Sequence, residues 1–392
     1  MSLDDKSECI GIYLKGELLM HGKVPDNLDR TWKYLPHLRG KDIEYAQLYC
    51  TGQTLKEVCP PSLSKEWERL TGKLQAYLTS FAEAKINLNE VCFYDLVPVQ
   101  FLKEFFDMKC KITDSVFETF KKPSDYRYRL KLEELLGDIR GRRLIIESGV
   151  LSKQRHKPRV RGFLKKLETV RKNVDYNQFG SKTGRLTTAP NTFPILTMDA
   201  AYRAIVKPSK GWFVEFDYNA AELRTLLALN ELEQPEGDIH KWNMEQTGAA
   251  SREAVKKDVF AWLYGSTVVD NSKFDSLYDT KKIREKFWDG YEVTNYFNRK
   301  IKADSYHSLN YIIQSTTSDL VLRQAIKVHD FLKGKKAHIA FIIHDSIILD
   351  FSYEEKSNIK EVRDIFSFTE LGNFKTSVKI GKGLDKMTEV EV

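Results

Sequence analysis

The sequence predicts an α+β fold, on three observations. From Ser64 to Glu147 apolar residues recur at helical spacing: Trp67, Leu70, Leu74, Tyr77 and Leu78, then Leu130, Leu132, Leu135 and Leu136. From Trp212 the strand formers Trp212, Phe213, Val214 and Phe216 run into Leu223, Leu226 and Leu227 at helical spacing, with Asp217 at the junction. Further on, two apolar runs, 340–343 and 347–351, flank His344-Asp345-Ser346 and read as a β-hairpin with a carboxylate at its tip.

The 392 residues, 42% of them hydrophobic, are enough for a sizeable core and two or three subdomains. A net charge of +7 fits a polyanionic partner without requiring one. The start, MSLDDKSE, has neither the basic nor the apolar region of a secretory signal. No apolar run reaches membrane length, and the segment 339–351 is interrupted by His344 and Asp345. The cysteines (Cys9, Cys50, Cys59, Cys92, Cys110) are odd in number and lack a C-x-x-C pair, which favours reduced thiols in a cytosolic protein over disulfides or zinc.

In chain order, residues 1–58 read as short strands and loops, with a hairpin turning at Lys15-Gly16. Pro60-Pro61 breaks the chain before the helical region. The segment 152–172 holds nine basic residues, among them Lys153, Arg155, Arg159, Arg161, Lys165 and Lys166, against Glu168 alone. A solvated helix face explains such a run, as does a phosphate-contacting surface. Thr183-Gly184-Arg185-Leu186-Thr187-Thr188 followed by Pro190-Asn191 suggests an irregular surface segment whose arginine could reach a nucleic-acid groove.

Asp217 by itself is most simply an N-cap, with Glu222 in the first turns of the helix it opens. Asp238-Ile239-His240 precedes another helical stretch. Arg252, Lys256, Phe260 and Tyr264 are spaced by four, so on a helix two cations and two rings project from successive turns. Such a row could hold a triphosphate at one end and a base or sugar at the other, or could be one face of a mixed amphipathic helix. Helical stretches are expected over 281–288 and 293–302, and a long helix over 305–331 carries Asn310, Gln314 and Asp319.

Together these segments resemble family A DNA polymerases, of the bacterial DNA polymerase I and phage type, and in the same order. TGRLTTAPN resembles their TGRLSS-x-x-PN, DYNAAELR at 217–224 their DYSQIELR, and GDIH at 237–240 the D-[IP]-H segment. Arg252, Lys256, Phe260, Tyr264 and Gly265 match R-x3-K-x3-F-x3-YG; NYIIQSTTSDL resembles N-x3-QGTAAD; His344-Asp345 resembles the HD of H-D-E. KTSVKIGKGLDKMTE resembles the closing VPLKVDVGxGxNWxE stretch, so the resemblance covers about 175–390.

The resemblance implies a right-hand polymerase fold with an antiparallel palm sheet and helical fingers and thumb. The implied division is a small segment at 1–58, a thumb-like helical region at 59–172 with the basic run, palm at 173–230, fingers at 231–302 and palm again at 303–392. It implies that Asp217 and Asp345 hold two Mg²⁺ ions, about 4 Å apart, with the Tyr218 carbonyl as a further ligand. Arg252, Lys256 and His240 would bind the triphosphate, Phe260 and Tyr264 would pack around the sugar and templating position, and Glu222 would exclude a ribose 2′-hydroxyl. Arg185, Asn310, Gln314 and His344 would touch primer–template DNA. The implied partners are that DNA and dNTPs, with a separate exonuclease or processivity factor as a further candidate, for a monomer in the cytoplasm of a bacterium or phage-infected host. No D-x-E strand precedes the helical region, so no proofreading exonuclease is expected.

Some positions depart from the family. Ser346 stands where it has the Glu of H-D-E, and H-D-S is the form of single-subunit RNA polymerases. Ser315 and Ser318 replace small residues of QGTAAD, and Ala261 replaces a Gly. Two other readings therefore stand beside a DNA polymerase: an RNA-polymerase-like enzyme with relaxed sugar choice, and a catalytically weak nucleic-acid-binding replication protein.

Overall fold

The structure is a computed structural model. It describes residues 11–20, 24–88, 91–263 and 272–392; Cys9, Tyr264 and Gly265 lie outside the described residues. The chain divides into two compact units, Met1–Asp138 and Ile139–Val392. The division falls inside the helical region 59–172, so the basic run belongs to the second unit.

The first unit opens with a hairpin of β1 (Gly11–Leu14) and β2 (Glu17–Met20). Lys15 and Gly16 both have positive φ, as a two-residue turn between twisted strands requires. Helix α1 (Pro61–Glu83) starts on a proline, which suits a first helical position because its missing N–H has no partner there. It packs Trp67 and Leu70 against Phe101, Phe105 and Ile112 of α2 (Val99–Thr119). Each such fully buried side chain contributes roughly 1.5–3 kcal/mol. A further helix, α3 (Tyr126–Arg140), spans the boundary at Asp138.

The second unit is built on a five-stranded antiparallel sheet. Its main elements, in order, are β3 (Ile145–Ile146), α4 (Pro158–Thr169), β4 (Val206–Lys207), β5 (Gly211–Tyr218), α5 (Ala221–Leu229), α6 (Ile239–Thr247), α7 (Arg252–Leu263) and α8 (Thr280–Phe287). Then come β6 (Glu292–Thr294), β7 (Lys300–Lys302), α9 (Ser305–Leu332), β8 (His338–Ile343), β9 (Ser346–Ser352), α10 (Asn358–Ser367), β10 (Thr376–Gly381) and β11 (Thr388–Val390). The sheet order is β8-β9-β5-β10-β11.

Strand alternation sends Trp212, Val214, Phe216 and Tyr218 to one face of β5 and Phe213, Glu215 and Asp217 to the other. Helix α10 covers the first face: Tyr218 stacks on Phe366 at 4.3 Å and donates its hydroxyl to the Phe366 carbonyl. The second face carries the carboxylates. Helix α9 is buried along most of its length, and its Thr317 hydroxyl donates to Thr225 Oγ1 of α5 at 2.9 Å.

The helix expected over 293–302 is not there. Those residues form the β6–β7 hairpin, with Val293 and Ile301 paired and buried, and Asn298 at positive φ in the turn. The Asn295 side chain receives the N–H groups of Phe297 and Arg299, so the turn is closed by a side chain rather than by apolar packing.

Candidate active site

Asp217 ends a strand rather than capping a helix. The N-cap position of α5 is Ala220, held in the left-handed region at φ 53°, which costs about 1 kcal/mol in a residue with a Cβ. The turn that needs this conformation is tied down from both sides. Asn219 N–H donates to Lys375 O at 2.9 Å, and Arg224 Nε donates to Asn219 O at 2.9 Å. The Arg224 guanidinium also donates to Pro235 O at 3.0 Å and Gly237 O at 2.9 Å, pinning the segment that leads into α6. Arg224 is only 1% exposed. Burial lowers its pKa to about 10, so it stays charged at neutral pH.

Asp345 comes from the β8–β9 hairpin. Ile343 pairs with Ser346, which leaves His344 and Asp345 as a two-residue turn, with His344 at φ 55°. Ser346 is not at the tip, where the run His344-Asp345-Ser346 suggested it. It is the first residue of β9, is buried, and donates its hydroxyl to Ile343 O at 3.0 Å. Ser346 is also the register partner of Asp217. The β9–β5 register ends at this pair, so the turn that carries Asp345 lies just beyond Asp217, close enough for the Asp345 charge to act on it. Glu215, two residues before Asp217, lies on the same face and pairs with Lys379 at 3.4 Å. No motif marks Glu215 in the sequence, although period-two alternation from Asp217 points to it.

Asp217 and Asp345 both titrate above the usual carboxylate range. Burial, then Asp345, then Glu215 push Asp217 up to about 7, against the pull of Lys379. Burial also raises Asp345, opposed by its own backbone N–H, His344 and Arg185. Two desolvated carboxylates that resist ionising together form a site that a cation would relieve. Among the described residues, no three His, Cys, Asp or Glu side chains converge as a metal-ligand set. Mg²⁺ is commonly held by one or two carboxylates plus substrate phosphates, and this oxygen donor set fits it.

Beside the carboxylates lies a cavity of about 340 Å³. Arg185, Glu222, Phe260, Gln314, His344 and Asp345 line it, so six residues singled out in the sequence meet there. Arg185 donates directly to the Glu222 carboxylate. Asn310 lies one helical turn before Gln314 on α9 and does not line the cavity. Tyr218 turns its side chain to the α10 face, leaving only its backbone near Asp217.

Helix α7 buries Val255, Val259, Trp262 and Leu263 and leaves Lys256 and Phe260 exposed, with Arg252 half-buried. Asp238 caps α6 by accepting from His240 N at 2.8 Å and Lys241 N at 3.0 Å, and pairs with Arg252 Nη2 at 2.7 Å. Although burial opposes it, the Arg252 hydrogen bond and the two backbone N–H groups bring the Asp238 pKa down to about 2. The buried His240 ring sits 6.1 Å from Phe260, and burial, reinforced by Lys256 and Arg252, lowers its pKa. His240, Arg252, Lys256 and Phe260 thus form one surface beside the cavity.

Asp319 of α9 accepts two hydrogen bonds from Arg299, at 3.0 and 2.6 Å, and one from Asn295 at 2.8 Å. Arg299 in turn leaves no room at Gly184, where a Cβ would approach its guanidinium to 2.7 Å. Asp319 therefore positions the segment that carries Arg185. Lys153, Arg155, Arg159, Arg161, Lys165 and Lys166 are exposed on α4 and the turn before it, and none lines the cavity.

No protein-family model matches the chain. It is similar to DNA polymerase I of Aquifex aeolicus (strain VF5), 24% identical over an alignment of 278 residues, with 57% of this chain covered. That match spans 46% of the relative, a little under half its length. The structure is similar to the POL domain of Pol1 from M. smegmatis, solved in complex with DNA primer-template and dNTP. The TM-score is 0.53 at 13% identity, over 73% of this chain and 75% of that one. The chain thus has an α+β fold that resembles a polymerase POL domain, and its sequence is similar to that of a family A DNA polymerase.

Proposed function

We propose that the chain is a template-directed DNA polymerase that adds deoxynucleotides to a primer 3′-end by phosphoryl transfer. The observation that carries this reading is the Asp217–Ser346 register, which sets two desolvated carboxylates beside a cavity lined by Arg185, Glu222 and Phe260. Asp217 and Asp345, with the Tyr218 carbonyl, would hold two Mg²⁺ ions. When bound, these ions lower the pKa of the primer hydroxyl and offset charge on the transferred phosphoryl group.

The chain's own groups do the rest. Lys256 and Arg252 lie one helical turn apart on α7, suited to the triphosphate and the departing pyrophosphate. Arg252 must exchange Asp238 for phosphate to do so. His240, kept neutral by burial, offers a hydrogen bond without adding charge. Phe260 presents a ring face for the incoming sugar and base. Glu222 occupies the cavity wall where a 2′-hydroxyl would fall. Arg185, Gln314 and His344 line the same cavity and would contact the primer–template end.

Primer extension on a DNA template with Mg²⁺, using deoxy- or ribonucleotides, tests the proposal. Deoxynucleotide extension that Asp345→Ala lowers at least about a thousandfold, roughly 4 kcal/mol of barrier, supports it. Ser346 favours a second reading, with relaxed sugar choice, and equal use of both nucleotide types would move the assignment there. No extension despite intact DNA binding would overturn both.

A further inference from the structure

A second cavity, of about 250 Å³, lies at the other end of the carboxylate-bearing sheet face. Phe213 lines it, four residues before Asp217 on the same face of β5, which is about 13 Å along a strand. Its polar rim comes from three separate segments. Arg142 and Arg143 follow α3, Lys207 is on β4, and Lys210 precedes β5. Pairing of Ile145 with Lys207 draws these segments together.

Arg142, Arg143 and Lys210 are exposed and Lys207 is half-buried. Among the described residues, none of the four has an ion-pair partner. One carboxylate, Asp350, also borders the cavity, but its oxygens are already taken. They accept from Ser209 N at 2.6 Å, Ser209 Oγ at 2.7 Å and Lys210 N at 2.8 Å, and lie 3.9 Å from His338 Nε2. Asp350 fixes the turn that presents Lys210 more than it neutralises the rim. Four like charges around one hollow focus a positive potential into it. By contrast, two arginines near the cavity of the candidate site are paired, Arg252 with Asp238 and Arg185 with Glu222.

We propose that this cavity binds a phosphate group through Arg142, Arg143, Lys207 and Lys210, and that the phosphate belongs to the backbone of duplex DNA whose end lies at Asp217 and Asp345. The source of the phosphate rests on the polymerase reading; the anion chemistry of the cavity does not. A duplex running along this face away from the carboxylates would pass over the cavity within a few base pairs, at about 3.4 Å per base pair.

The test uses the full chain and two double variants, Arg142→Ala/Arg143→Ala and Lys207→Ala/Lys210→Ala. Binding of a primer–template duplex is measured by fluorescence anisotropy over a range of salt, and binding of inorganic phosphate by ³¹P line broadening. Thermal melting checks that the variants fold. The expected result is at least tenfold weaker duplex binding for each double variant, with the slope of log K against log salt reduced by about 0.9 for each phosphate no longer neutralised. Abolished phosphate binding with unchanged duplex binding would overturn the duplex source and assign the cavity to a free phosphate. Unchanged binding of both would overturn the cavity altogether. Primer extension separates this from the wider reading. Extension with no effect of the variants on binding rejects the cavity alone, and weakened binding by a chain that cannot extend primers rejects the polymerase alone.

Discussion

The Arg185 guanidinium donates to the Glu222 carboxylate, joining the TGRLTT segment to the first turn of α5 across the cavity wall. The contact couples two proposed roles, since Arg185 would face the primer–template and Glu222 the incoming sugar. It also separates charge from volume as the basis of sugar choice. Glu222→Gln keeps the volume and loses the ion pair, whereas Glu222→Ala loses both. If volume excludes the 2′-hydroxyl, the ratio of kcat/KM for deoxy- over ribonucleotides will be kept in Glu222→Gln. In Glu222→Ala it will fall at least about tenfold, roughly 1.4 kcal/mol. An equal fall in both would assign the choice to the ion pair.

The Asp319–Arg299 pair should matter for stability first. Asp319 is 1% exposed, and its loss strands a guanidinium in a mostly buried setting. Breaking one side of a buried pair costs about 3–5 kcal/mol, so Asp319→Ala should unfold at clearly lower denaturant. Gly184→Ala should be milder in melting, yet it should weaken primer–template binding. Its Cβ would press on Arg299 from a backbone at φ 78° and displace the neighbouring Arg185. Chemical denaturation and duplex affinity, measured side by side, check both.

Asp238 gives the stability a defined acid dependence. Its folded pKa of about 2 lies below its usual 3.8, so its contribution is fully present above that usual value and is lost as pH falls through about 2. The effect should not exceed about 2 kcal/mol, because Arg252 is partly solvated. Asp238→Asn should melt lower than the parent at pH 5, with the difference closing towards pH 2. A difference that stays constant with pH would mean that the pair contributes by packing and not by charge.

Ser346→Glu would place a further carboxylate at the register partner of Asp217, a buried position. With Asp217 already pushed up to about 7, more negative charge there should lower the melting temperature in metal-free buffer. Adding Mg²⁺ should restore it by more than it raises the parent. Equal Mg²⁺ responses in the two proteins would count against a metal at this pair.

The parts of the fold legible in the sequence are those specified locally. Lys15-Gly16 announces its turn by residue type, the Asp217 junction shows as a change of period, and the His344-Asp345 turn lies between two apolar strands. The β6–β7 hairpin is not legible because each strand has three residues and buries one. Its turn is held by Asn295, which Asp319 anchors from 24 positions away. The Asp238–Arg252 and Arg185–Glu222 pairs are hidden for a similar reason. Each residue stands out as a candidate for binding a ligand, and the sequence does not show that they first bind one another. The second cavity has no trace in any single stretch, since it gathers residues near 142, 207 and 338.

The two-residue turn at His344-Asp345 has a further consequence for how this site can change. No residue is spare between Ile343 and Ser346, and the left-handed His344 closes the link. Side chains there can be exchanged while the backbone keeps its path. An insertion or deletion of one residue would shift β9 against β5 and send Asp345 towards the opposite face. Lineages of this protein should therefore vary in letter at this hairpin but not in length, and a library that randomises its composition should keep active members where one that varies its loop length should not.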